Sequence, residues 1–156
     1  MAADSPAVLI LNTAPMSQGV PDELLALADF VTPNETEASV LSGVPIASLA
    51  DAEKAAQVIL DKGVGNVIIT MGSQGAYFKN AEESFLVPAL PVAAVDTTGA
   101  GDAFHGGFAA ALADGKSVRE AMAYGTAVAA LSVTRVGAAA AMPSRAETEA
   151  FLASRR

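Results

Sequence analysis

Cysteine and tryptophan are absent from this 156-residue chain, and histidine occurs once. Without cysteine there is no disulfide framework and no thiolate chemistry. Aromatic residues are 5% of the chain while hydrophobic residues are 52%, so the apolar mass is mainly Ala, Val and Leu. That composition suits tightly packed helices on a sheet. Positive charge is also scarce: Lys and Arg number 9 against 17 Asp and Glu, a net charge of -8. The basic residues are scattered, and only Arg155 and Arg156 adjoin. Nucleic acid is therefore excluded as a main partner, because binding a phosphate backbone needs clustered positive charge. No uncharged apolar run reaches the roughly 18 residues that would span a membrane. The start, Met1-Ala-Ala-Asp-Ser-Pro6, lacks a basic leader region. Internal repeats and low-complexity linkers are lacking too. The length allows one domain, 1–156, and a soluble cytoplasmic protein is the expectation.

What is present reads as alternating strands and helices. Val8–Leu11 is a continuous apolar run, expected to be a strand buried on both faces. Asn12 to Pro15 breaks it. Residues 21–28 predict a short helix with Pro21 in its first turn, and Phe30–Thr32 a very short strand. A helix from Pro33 to Leu41 should stop at Gly43. Ser48 to Lys62 predicts an amphipathic helix, capped by Ser48 and ended by Gly63, with Leu49, Ala52, Ala56, Ile59 and Leu60 on one face. Asn66–Thr70 is a second buried strand. The turn Gly72–Gly75 leads to a hairpin of Ala76–Lys79 and Ser84–Val87, and Leu90–Val95 reads as a further extended segment. Helices follow at 101–113, about 117–133 and about 144–153, with Ser144 as a cap. Phe104, Phe108, Ala111 and Leu112 should share a buried face. The order is α/β: a mostly parallel sheet flanked by helices, with an antiparallel hairpin.

The stretch Asp96-Thr97-Thr98-Gly99-Ala100-Gly101-Asp102-Ala103-Phe104 organises the rest. A Gly-rich turn opening a helix leaves backbone N–H groups free and points the positive end of the helix dipole at one place, an arrangement suited to a phosphate. A dinucleotide fingerprint fails on spacing, since Phe104 stands where its third glycine belongs. A Walker loop is absent. Two readings remain open. Asp102 either complements a helix start, or acts as general base beside an anion hole formed by the amides of Gly99, Ala100 and Gly101. Asn34 and Glu37, three residues apart at a helix start, read first as a capping pattern, with a ligand site as the alternative. His105, beside the core residue Phe104, reads as a non-catalytic helix residue.

Asp96–Phe104 resembles the C-terminal signature of the ribokinase family of sugar kinases. Three further segments match in order. Asp29–Ala38 resembles the family's N-x-x-E region at Asn34 and Glu37. Ile69–Ala76 resembles its nucleotide-binding strand and turn. Val133–Ala138 resembles its late loop near the nucleotide and a monovalent cation. Leu11–Pro15 resembles a ribokinase-type strand end, with Thr13 where Pro is usual. The resemblance implies a ribokinase-like fold and ATP-dependent phosphotransfer to a sugar's primary hydroxyl, with ribose as first choice and fructose or a nucleoside as alternatives. It implies Asp102 as base and the amides of Gly99, Ala100 and Gly101 as anion hole. It also implies nucleotide contacts at Asn34, Thr70, Gly72, Ser73, Gly75, Gly101, Asp102 and, more weakly, Thr126. Glu37 would serve Mg²⁺, largely through water. Asp96, with the backbone at Thr98, Ser132, Arg135, Gly137 and Ala141, would hold K⁺. Arg135 would act through its carbonyl, its side chain left to solvent.

Members of that family are about twice as long, and the portion before residue 1 would carry further strands, the lid and most sugar contacts. The alternative expectation is therefore a nucleotide-binding but catalytically incompetent portion of a sugar kinase. Val8–Leu11 would then be an apolar sheet edge, which predicts marginal stability or self-association.

Overall fold

The computed structural model describes residues 7–14 and 19–155. Pro15, at the expected break after the first strand, the start 1–6 and Arg156 lie outside the described residues. The described residues form two compact units, one running to Gly72 and resuming over Ala76–Leu86, the other comprising Ser73–Gly75 and the chain from Val87 onward. Among the described residues no helix is long and apolar enough to cross a membrane.

The first unit is built on a five-stranded sheet in the order β1-β2-β3-β4-β5. Its strands are β1 (Ile10–Leu11), β2 (Phe30–Val31), β3 (Asn66–Thr70), β4 (Ala76–Lys79) and β5 (Ser84–Val87). β1 and β2 run parallel, as do β2 and β3, while β3 and β4 are antiparallel. The hairpin turn is set by Asn80, whose Oδ1 accepts the amides of Glu82 and Glu83 at 2.9 and 2.8 Å. The connections are α1 (Asp22–Leu25), α2 (Glu35–Ser42) and α3 (Leu49–Leu60). α3 is started by Ser48, whose hydroxyl accepts the Asp51 amide. Its Ala52, Ala55, Ala56 and Ile59 are fully buried against Val67, Ile69 and Tyr77 of the sheet. Small side chains on α3 allow the helix to sit close to the strands, as the Ala-rich composition implied.

The second unit is helical. α4 (Ala100–Ala113) packs along α5 (Val118–Ser132), and α6 (Arg145–Ala153) adds to α5. Phe104 and Phe108, one turn apart, stack with centroids 6.1 Å apart, and they are buried, as are Ala111 on α4 and Ala121, Met122 and Ala127 on α5. α4 and α5 approach so closely at Gly107 and Gly125 that a Cβ on Gly125 would stand 2.7 Å from the Phe104 carbonyl oxygen.

Four expectations change. The first strand is only two residues long and half-buried; Val8 and Leu9 are 58% and 37% exposed. Among the described residues β1 ends the sheet order, with β2 as its one neighbour. Leu90–Val95 is not a strand. Pro91 offers no donor, and the Val95 and Asp96 amides turn to the Val133 carbonyl beyond α5. The helix expected over 21–28 is a single turn. Leu49 is 38% exposed and Leu60 only half-buried, so the buried face of α3 runs through its alanines.

Candidate functional site

In the first unit, three parallel strands deliver their carboxyl ends to one edge of the sheet. Ligands of open α/β sheets gather at such edges. Thr13 follows β1, Asn34 follows β2 and Thr70 ends β3. Asn34 and Thr70 form a parallel bridge, and the Thr70 amide donates to the Pro33 carbonyl at 3.0 Å. The N-x-x-E region and the nucleotide-strand region of the sequence are thus joined by backbone pairing, and Gly72 starts a one-turn helix just beyond.

Asn34 is the N-cap of α2 and forms a full capping box. Its Oδ1 accepts the Glu37 amide at 2.9 Å, and Glu37 Oε2 accepts the Asn34 amide at 2.9 Å. The box fixes the orientation of the Asn34 amide group and leaves Nδ2, with no protein acceptor, as a donor for an anion. Glu37 is buried and also accepts from the Thr13 hydroxyl at 3.1 Å on the same Oε2. Both bonds fall on one oxygen, so Oε1 is the atom left for a hydrated cation. Thr13 escaped assignment from sequence. Its only signal was that it stands where proline is usual, and the structure makes it the residue that steadies Glu37.

In the second unit, Ser73 lies in the one-turn helix and Gly75 at its exit. A Cβ on Gly75 would meet the Val87 carbonyl oxygen at 2.1 Å. Packing alone therefore demands glycine there. Gly99 is the N-cap of α4, in the left-handed conformation at φ 75° and against Ala138. The Ala100 amide donates to the Thr97 carbonyl at 3.1 Å, whereas the amides of Gly99, Gly101 and Asp102 have no protein acceptor. They remain at the positive end of a 14-residue helix. Asp102 is exposed, makes no side-chain bond to the protein, and lines a cleft of about 280 Å³ with Gly106, Ala110, Tyr124, Met142 and Arg145.

Asp96 closes the turn before α4. Its two oxygens accept the amides of Thr98 and Gly137, each at 2.9 Å. Those bonds, from Gly137 first and then Thr98, pull its pKa from the ordinary 3.8 down to about 2. One carboxylate thereby fastens the 96–98 turn to the 133–138 loop, which brings Thr98, Ser132, Arg135 and Gly137 into one neighbourhood. Ala141 is buried in the one-turn helix that follows. Among the described residues no group of three His, Cys, Asp or Glu side chains could hold a metal ion. Any cation at Asp96 would thus depend on backbone carbonyls. These hard oxygen donors fit K⁺ and not a soft metal.

Arg135 departs from expectation. Its side chain is not left to solvent: Nη2 lies 2.6 Å from Glu147 Oε1. Glu147 is the capping-box residue of α6, accepting from the Ser144 amide and hydroxyl at 2.7 and 2.8 Å. Those two bonds and then Arg135 hold its carboxyl at about 2. Thr126 is buried within α5, its Oγ1 without a hydrogen-bond partner. His105 is half-buried and meets the Phe104 ring edge-on at 5.7 Å.

The pfkB family carbohydrate kinase sequence profile matches residues 3–145. Ribokinase of Haemophilus influenzae is 48% identical over 144 residues, covering 92% of this chain and 47% of the relative. Arabidopsis thaliana ribokinase, solved with ribose and ATP, superposes with a TM-score of 0.90 at 36% identity, over 94% of this chain and 47% of that one. A ribokinase II-type protein from E. coli, solved with ATP and Mg²⁺, gives a TM-score of 0.74 at 37% identity, over 86% of this chain and 42% of that one. The chain spans about half the length of the relatives it matches.

Proposed function

The chain belongs to the pfkB family of carbohydrate kinases, and from that premise we propose that it forms the nucleotide- and phosphate-binding part of an ATP-dependent sugar kinase, with ribose as acceptor and ribose 5-phosphate as product. The observation that carries this reading is the start of α4. Three unpartnered amides, of Gly99, Gly101 and Asp102, surround an exposed carboxylate that has no structural bond of its own. Phosphoryl transfer needs positioning and charge neutralisation more than covalent catalysis. Asp102 accepts the proton of the sugar's primary hydroxyl as its oxygen attacks the γ-phosphorus and the bond to the ADP oxygen breaks. The free amides stabilise charge on the transferred group. The Ala100 amide, committed to Thr97, plays no part in that hole.

Asn34 Nδ2 donates to a phosphate oxygen, and Thr70, Gly72, Ser73 and Gly75 wall the nucleotide. The unpaired Thr126 hydroxyl is the group assigned to the adenine. Glu37 orients the water shell of Mg²⁺, which when bound neutralises charge on the transferring phosphates. Asp96 and the carbonyls at Thr98, Ser132, Arg135, Gly137 and Ala141 hold K⁺ beside the anion hole.

A second reading is that the chain binds nucleotide without turning over. A coupled assay for ADP release with ribose, fructose and a nucleoside, run beside ATP binding by calorimetry, separates the two. Ribose-dependent release that falls about 100-fold or more in Asp102→Asn, with ATP binding kept, supports the kinase. ATP binding without sugar-dependent release supports the second reading. Undiminished release in Asp102→Asn overturns the assignment of the base.

A further inference from the structure

The 133–138 loop leaves α5 and must present its carbonyls and the Gly137 amide to Asp96. Its backbone is tied to the 95–96 segment at two points: the Val133 carbonyl accepts the Val95 amide at 2.7 Å, and the Gly137 amide reaches Asp96 at 2.9 Å, while the Thr134 and Arg135 amides bond only back to the Leu131 and Ser132 carbonyls at the end of α5, each at 3.1 Å. Between these points little packing holds it. Val136 is 74% exposed, and the Thr134 hydroxyl bonds only back to Leu131. Arg135 is the residue whose side chain leaves the loop for another element, reaching Glu147 on α6 at 2.6 Å. Glu147 is itself immobilised, because its other oxygen is taken by the amide and hydroxyl of Ser144. The carboxylate is thus divided, one oxygen starting a helix and one gripping the loop.

We infer that Arg135 is a positioning residue, whose side-chain pair with Glu147 holds the 133–138 loop in the form that meets Asp96 and thereby sets the affinity of the monovalent-cation position. This rests on the kinase reading for its cation, and on geometry alone for the tether. Arginine suits the task because its planar fork arrives preorganised, whereas lysine would offer a freely rotating point charge. Both side chains are partly exposed, 38% for Arg135 and 47% for Glu147, so the effect is modest. A partly exposed pair corresponds to about a two- to five-fold change in an equilibrium.

Two substitutions isolate the pair from the roles its members play otherwise. Glu147→Gln keeps an acceptor at the third helical position, where glutamine also serves in capping boxes, and removes the charge. Arg135→Met keeps the backbone carbonyl and much of the stem. Amide hydrogen exchange in the 156-residue chain should quicken about two- to five-fold at 134–138 in either variant, with α6 unchanged. The K⁺ concentration giving half the rise in Tm, measured with a non-hydrolysable ATP analogue, should increase by a similar factor. The double variant should match the single ones. Unchanged loop exchange, additive effects in the double variant, or fraying confined to α6 in Glu147→Gln would each overturn the inference. If the native chain shows no stabilisation by K⁺ and nucleotide, the kinase reading fails while loop exchange still decides the tether.

Discussion

Asp96 performs two backbone tasks with one carboxylate, and its ionisation is where the molecule should respond to acid. Its bonds to Gly137 and Thr98 lower its pKa from 3.8 to about 2. A depressed carboxylate stabilises the fold fully above the unfolded value, and that contribution is lost as pH falls through the folded one. The expected window therefore lies between about pH 4 and pH 2. The Gly137 and Thr98 amide NMR signals should titrate with a midpoint near 2. Asp96→Asn should remove the corresponding slope from a stability–pH curve. A midpoint near 4 would mean that the turn-to-loop bonds do not persist in solution. At this scale sequence and structure part ways over reach. Asn34 and Ser144 were legible as caps because their partners lie three residues on, whereas Asp96 reaches Gly137, 41 residues away. The Arg135 pair was not legible, because its partner is set by where α6 starts in space.

Among the elements, the α4–α5 crossing makes the sharpest claim. Gly106 and Gly107 are neighbours in sequence and opposites in packing. A Cβ on Gly107 would meet Val128 at 2.7 Å and one on Gly125 the Phe104 carbonyl at 2.7 Å, while one on Gly106 meets nothing within 4 Å. Gly125→Ala should cost about 1–3 kcal/mol in urea unfolding, since the helix axes must part. Gly106→Ala should be neutral or stabilising by about 0.5–1 kcal/mol, through helix propensity alone. Equal effects at both sites would show that the helices do not cross as described. Nothing in a Gly-Gly pair says which member faces a partner. The same limit explains the strands. β3, β4 and β5 were legible because short apolar runs are bounded by Gly and Asn turns. Leu90–Val95 is apolar too, but being a strand requires a neighbour, and Pro91 and the Val133 carbonyl send its backbone elsewhere. β1 erred the other way: an apolar run suggested interior burial, and among the described residues the strand is half-buried.

For the whole molecule, the parallel sheet with one hairpin and the helices after it were legible from the order of elements, while its division into two compact units was not. Val8 and Leu9, exposed beside β1, which ends the sheet order among the described residues, form an apolar edge, and such edges recruit further strands. The chain should therefore self-associate with rising concentration in light scattering, and Val8→Lys should shift it toward monomer, lysine being a common edge blocker. A monomer at all concentrations would count against this. Another consequence concerns how related sequences are read. Three helices begin with capping boxes, at Asn34, Ser117 and Ser144. Helix initiation alone is reason enough to keep a glutamate at positions 37, 120 and 147. A descendant that lost its chemistry would retain them, and the N-x-x-E pattern would survive as a fossil of folding. The Asp102 side chain makes no hydrogen bond to the protein and starts no helix as a cap; it only complements the positive end of α4. On the kinase reading, drift would erase it before the capping glutamates, and its presence or absence would be the better record of that activity in a lineage.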